Sequence, residues 1–177
     1  MKTVSTILLV VALTVTGCKK DENKNSGTIT IDNTASPPNY TAFGLHVPSG
    51  KKVEDVNNSQ PDVIKILPDF DVDYTVRKLY FACNNFNNSF IKYGQYGNEN
   101  SAIQAFNNLK SFSNNNWKAL GDSIKPHQVW LFITSDEKYA KIRIISTFTE
   151  TRTGMPFPFA ECTFEWIYQP DGTQTFQ

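Results

Sequence analysis

The feature that most constrains this chain is a period of two. Residues 128–134 and 139–148 alternate apolar and polar side chains around Ser135-Asp136-Glu137-Lys138, a short polar turn. Alternation at that spacing puts every second side chain on one face of a strand, so the pair reads as a β-hairpin with a four-residue loop. On this reading Val129, Leu131, Ile133, Ile142 and Ile144 share a buried face, with Lys141 and Arg143 opposite. The same period recurs over 43–47, 51–56 and 63–67, with Pro48-Ser49-Gly50 as a turn between the first two. It recurs again from Phe70 through Asp71, Val72, Asp73 and Tyr74 to Ala82, and over 161–168 before Pro170-Asp171-Gly172. One segment has the other period. Ala102, Ile103, Ala105, Phe106, Leu109 and Phe112 fall on one helical face, with Asn100 or Ser101 as cap. Many strands and one or two short helices make a mainly β domain, or an α+β one, with antiparallel pairing.

The N-terminus follows different rules. Lys2 precedes an apolar stretch, Thr3 to Val15, too short to span a bilayer and ending in Val15-Thr16-Gly17-Cys18. An aliphatic residue, two small residues and a cysteine form a lipobox. Residues 1–17 therefore read as a lipoprotein signal peptide, and Cys18 as the thiol that takes a diacylglycerol with its palmitate-type chains. A second, amide-linked chain would make the anchoring firm, since one chain alone holds only marginally. Lys19-Lys20-Asp21-Glu22 resembles the surface-export signal of Bacteroidetes-type lipoproteins; the alternative is a charged spacer. The expected location is the outer membrane, exposed at the cell surface. Residues 18–37 are polar and end in Ser36-Pro37-Pro38, so they read as a flexible tether, although 27–32 alternates as a first strand would. Residues 38–177 are then a single domain.

Composition excludes several classes of function. The 17 basic and 17 acidic side chains balance, without the basic excess of a nucleic-acid binder. No run of about 18 apolar residues predicts a membrane-spanning helix. No nucleophile elbow, zinc-protease motif, phosphate loop or dinucleotide fingerprint is present, so the chain reads as non-catalytic.

Three constellations remain. Asp69, Asp71 and Asp73 would share one face of a strand, as a solvated surface or as a hard-cation site; their spacing fails the EF-hand pattern at its Gly and Glu positions. Cys83 and Cys162 are two buried thiols or one bridge. Tyr93-Gly94-Gln95-Tyr96-Gly97 and Met155-Pro156-Phe157-Pro158-Phe159 place rings beside Gly and Pro, where they either grip a flat ligand or fill core beneath loops.

The hairpin at 129–144 and the closing segment Thr163-Phe164-Glu165-Trp166-Ile167-Tyr168-Gln169-Pro170-Asp171-Gly172 resemble those of the HmuY-type haem-binding lipoproteins of Bacteroidetes. The stretch from Phe43 to Val53 around Gly50 is similar to that family's first hairpin. The resemblance implies two packed sheets, a haem cleft formed by long loops, and transfer of haem to an outer-membrane receptor. If haem binds, porphyrin contact is expected from Tyr96, Trp117, Phe157 and Phe159, with the iron met by Met155, His127 or water; neither His46 nor His127 falls on a ligand position of the family. The family's ligand position after a tryptophan falls here on Asp122, a poor haem-iron ligand. The second expectation is therefore a lipoprotein of the same fold that binds a protein or glycan through its aromatic loops.

Overall fold

The computed structural model describes residues 24–34, 41–56, 59–85, 88–113, 116–152 and 156–176. The leader, Cys18 and Met155 lie outside the described residues. The described residues form ten strands and one α-helix: β1 (Ser26–Asp32), β2 (Thr41–His46), β3 (Lys51–Val56), β4 (Val63–Phe70), β5 (Val76–Ala82), β6 (Phe90–Gln95), α1 (Glu99–Asn108), β7 (Gly121–Asp122), β8 (Gln128–Ile133), β9 (Tyr139–Glu150) and β10 (Phe159–Gln169). The fold is mainly β and antiparallel, as the alternation predicts.

The strands follow one another in the order β6-β8-β9-β10-β1-β2-β4-β5-β7, with β3 flanking β2. The sheet curls until its two ends meet. Lys118 pairs with Phe90 at the start of β6, and three residues later Gly121 pairs with Phe81 on β5. One short segment thus closes a nearly complete barrel.

Among the described residues, large side chains from several strands pack the interior. Phe81 on β5 touches Trp130 on β8 at 6.3 Å and Phe164 on β10 at 5.6 Å, both edge-on. Rings from separate walls meet in the middle, with Ile31, Ile64, Ile142, Ile144 and Trp166 packed around them. Cys162 is buried in this core and Cys83 packs at its margin; both are free thiols. Burial pushes the Cys83 thiol up to about 12, with Asp62 adding to the rise, and pushes Cys162 up as well. Neither is a poised thiolate.

β1 corrects the domain boundary. Ser26 to Asp32 pair with Ile167 to Glu161, residue by residue, in the middle of the sheet. Ile31 is fully buried, and Thr30 and Thr163 share a hydroxyl hydrogen bond of 2.7 Å. The alternation at 27–32 therefore outweighs the polar composition around it. The domain begins at Ser26 instead of residue 38, and the stretch read as a tether is shorter by that strand.

The hairpin of β8 and β9 is buried on both faces, against the expectation of one wet face. Register sets Val129 opposite Arg143, Trp130 opposite Ile142 and Leu131 opposite Lys141. Val129 and Leu131 therefore share a face with the two cations, while Ile142 and Ile144 line the barrel interior with Trp130 and Phe132. The outer face is dry because α1 lies on it. Ala102 and Phe106 of the helix are buried, as is Leu109 at its end, against Ile91, Val129, Leu131 and Phe176. The N-cap is Asn98, whose side chain accepts from the Ser101 amide, instead of Asn100 or Ser101.

The two cations are accommodated differently. Arg143 Nε and Nη2 both reach Glu165 at 2.9 Å. Lys141 Nζ donates to the carbonyls of Phe106 and Leu109, at 2.8 and 3.0 Å, and lies over the rings of Phe106 and Phe176. It pins the C-terminal turn of α1, where the helix dipole favours a cation.

Burial nevertheless lowers the Lys141 ammonium from 10.5 to about 8; Lys110 adds repulsion, and Glu165 works the other way. Between those two values the unfolded chain holds a proton that the folded chain has lost. The Lys141 contribution to stability therefore rises with pH across that window. The gain is complete above the unfolded value and gone below the folded one. At ~1.4 kcal/mol per pH unit it amounts to roughly 3 kcal/mol. Urea titrations from pH 7.5 to 9, below the range in which the Cys83 and Cys162 thiols ionise in the unfolded chain and lower stability, should show the rise, and Lys141→Met should abolish it. A rise unchanged in that variant would assign it to another group.

Candidate functional site

Strand directions define two ends of the barrel. β1 runs from its pair with Ile167 to its pair with Glu161, so the N-terminal segment enters beside the end of β10. The opposite end holds the β4–β5 turn and the β9–β10 turn. Thr151 Oγ1 donates to the Tyr74 carbonyl at 3.4 Å and ties these turns together.

The β4–β5 turn replaces the uninterrupted strand expected from Phe70 to Ala82. The Asp71 amide donates to the Thr75 carbonyl, the Tyr74 amide to the Asp71 carbonyl, and the Thr75 amide to Asp73 Oδ1. Tyr74 takes a left-handed φ of 66°. Aspartates that bond the backbone two residues on are turn formers, which outweighs the alternation here. The same bonds spread Asp69, Asp71 and Asp73 around a bend. Asp71 pairs with Arg77 at 2.8 Å, and the described residues hold no group of three or more acids, histidines or cysteines suited to a metal.

The turn presents an apolar tip. Phe70 and Tyr74 stack at 5.8 Å and 9°, and Val72 between them is fully exposed. Beside the neighbouring turn, near the end of β9, Phe148 is half exposed and its ring lies near that of Phe159, while the Arg152 guanidinium lies 3.6 Å over the Phe159 ring. Asn33 at the end of β1 holds this loop. Its Nδ2 donates to the Pro158 carbonyl at 2.9 Å, and its Oδ1 accepts from the Ala160 amide at 2.6 Å. Two ring pairs at turns tied through Thr151 and Tyr74 supply the kind of aromatic surface that contacts sugars or apolar side chains.

The residues expected around a porphyrin do not meet in one cleft. Phe157 and Phe159 belong to this end, with Phe159 buried against its neighbours. Trp117 stacks on Tyr139, the first residue of β9, whereas Phe159 pairs with Glu150, the last. Eleven residue steps of strand separate those levels, about 36 Å at ~3.3 Å each. Trp117 is instead part of the outer cluster with Phe112, Tyr139 and Phe176. Tyr96 packs on the same cluster, its amide donating to the His127 carbonyl.

His127 has a left-handed φ of 66°, and its amide donates to the Ile144 carbonyl, midway along β9. Its Nδ1 is buried and has no hydrogen-bond partner among the described residues. Asp122 is exposed and pairs with Lys78 at 3.2 Å. His46 Nδ1 contacts Ser49 Oγ at 2.7 Å within the single 3-10 turn Val47–Ser49; the serine also donates to the His46 carbonyl. Among the described residues no carboxylate orients that ring, so the pair is a local turn contact.

Sequence reasoning found the Phe157–Phe159 loop and missed Phe70, Val72, Tyr74, Phe148 and Arg152. The signal for the first three was the aspartate spacing, which marks a turn as readily as a strand. No protein-family model matches the chain, and neither a curated protein nor a solved structure matches it. The fold and site define a class: a nearly closed antiparallel barrel with a packed interior and an aromatic loop end.

Proposed function

We propose that the chain is a lipid-anchored, non-catalytic binding module, displayed at the surface of the outer membrane, that engages a protein or glycan partner through the aromatic loop end. The observation that carries this reading is the contrast between a barrel interior packed with Phe81, Trp130 and Phe164 and the exposed side chains of Val72, Tyr74 and Phe148 at the aromatic end. Ligand contact then belongs on the surface. The anchor fits that geometry. With Cys18 lipidated, eight residues lead to Ser26 and extend at most ~28 Å, so the entry end sits near the bilayer. The aromatic end faces away from it. The resemblance to the HmuY-type lipoproteins supports the lipoprotein setting and a β-rich fold. Its haem chemistry receives less support, because Tyr96, Trp117, Phe157 and Phe159 occupy separate regions.

The test is a photo-crosslinking amino acid placed at Val72 or Phe148 and, as control, at Lys51 near the entry end. The expected result is one adduct shared by the two aromatic-end positions and missing from the control. A glycan array run with Val72→Asp and Phe148→Ser covers the case of a sugar partner. Equal labelling from both ends would overturn the reading. So would a haemin Soret shift that His127→Ala abolishes, which would restore haem carriage.

A further inference from the structure

The seam that closes the barrel carries an open groove of about 290 Å³, lined by Phe90, Lys92, Lys118, Leu120, Asp122 and Trp130 among others. It lies away from the aromatic end, and its charge differs from that of the chain as a whole. Lys92 and Lys118 line it together with the single carboxylate of Asp122, and Lys78 reaches that carboxylate from beside the groove. Lys78 holds that carboxylate, with Nζ 3.2 Å from Asp122 Oδ1. Among the described residues neither Lys92 nor Lys118 has an acidic partner. Burial works to raise the Asp122 carboxyl, but hydrogen bonds from Lys78 and Ser123 and the charges of Lys78 and Lys92 outweigh it and hold it below its ordinary value.

The two unpaired cations stand on rigid backbone. The Lys118 amide donates to the Phe90 carbonyl at 2.8 Å, and its carbonyl accepts from the amides of Ser89 and Phe90. Lys92 Nζ sits 5.8 Å over the Trp130 ring. Leu120, nearly half exposed, supplies an apolar wall. A concave surface lined by two lysines, one seated over Trp130 and the other fixed by its backbone, concentrates anions. The Asp122 carboxylate and Ser123 hydroxyl narrow the choice. A bare inorganic anion gains nothing from a carboxylate neighbour, whereas a ligand with hydroxyl groups donates to it.

We propose that this groove is a binding site for a small hydroxylated organic carboxylate, of the size and kind of a single acidic sugar ring. The carboxylate lies between Lys92 and Lys118, the hydroxyls bond Asp122 and Ser123, and the apolar edge of the ring rests on Leu120. The volume is at the small end of ligand sites, which suits one ring. The site is independent of the aromatic end, so its failure leaves the reading above untouched.

The experiment is a titration of the ¹⁵N-labelled chain with sodium glucuronate, followed by NMR. The expected result is saturable shifts of the Lys118, Leu120 and Asp122 amides and of the Trp130 indole, with a dissociation constant of about 1 mM. The double variant Lys92→Gln, Lys118→Gln should weaken binding at least about tenfold, with the rest of the spectrum serving as the folding control. Glucose should give no shifts. Three outcomes overturn the proposal: shifts that never saturate, an unchanged affinity in the double variant, and equal shifts from sodium sulfate, which would mean an adventitious ion only.

Discussion

Asp55→Ala is expected to destabilise the chain by about 3–5 kcal/mol, because it strands a buried ammonium. Asp55 Oδ2 lies 2.6 Å from Lys65 Nζ, and the two side chains are 0% and 2% exposed. The other carboxylate oxygen accepts from the Gln60 amide at 3.1 Å. Asp55 stands on β3 and Lys65 on β4, the two strands that both pair with β2. Gly44 on β2 makes the approach workable. A Cβ there would fall 2.5 Å from Val63 Cγ1 and 3.2 Å from Lys65 Cγ, so only glycine lets the lysine stem pass. Removing the acid takes away the carboxylate that balances this buried charge. The joint replacement Asp55→Leu, Lys65→Met removes both charges and should recover most of the loss, since apolar pairs commonly match buried ion pairs. Urea denaturation of the single and double variants decides the matter. A single variant within about 1 kcal/mol of wild type would show the pair to be solvated, as surface pairs are.

Trp166→Ala is expected to cost about 3–5 kcal/mol, the range for a large aromatic lost from a core. Trp166 is 2% exposed and belongs to the interior cluster near the entry end. Two glycines form its slot. A Cβ at Gly50 would meet Trp166 Cη2 at 2.9 Å, and one at Gly27 would meet Nε1 at 3.6 Å. Gly50 also has a left-handed φ of 64°, which closes the turn after Val47–Ser49 at little steric cost. The indole thus holds the start of β1 and the β2–β3 turn at once. Its removal should lower hydrogen-exchange protection most at Gly27 to Ile31, beyond the global loss. Uniform loss along all strands would mean that the ring fills volume without fastening the N-terminal strand.

The order of side chains within each strand was legible in the sequence, because alternation is a local property of the chain. The hairpin of β8 and β9, the turn at Gly50 and the closing strand β10 all stand where period two puts them. The helix is also where its 3.6 spacing falls. The face each strand turns inward was not legible in β8 and β9. Val129 and Ile142 look equivalent in the sequence, and only cross-strand register tells them apart: Val129 lies opposite Arg143, and Trp130 opposite Ile142. Lys141 and Arg143 read as wet because nothing local shows that a helix from 99–108 will cover them, or that carbonyls and Glu165 will receive their charges.

The candidate site divides in the same way. The Phe157–Phe159 loop was visible as rings beside prolines. That Tyr96 and Trp117 belong to the outer cluster beneath α1, far from that loop, depends on which strand neighbours which. The β4–β5 turn is an intermediate case: Asp71 and Asp73 carry both a strand pattern and turn chemistry, and the turn's backbone hydrogen bonds prevail. Period, capping and turn residues act over a few positions and are written in the sequence. Register, barrel closure at Lys118 and Gly121, and the meeting of two distant turns through Thr151 and Tyr74 arise from contacts between residues far apart in the chain, so the tertiary structure alone decided them.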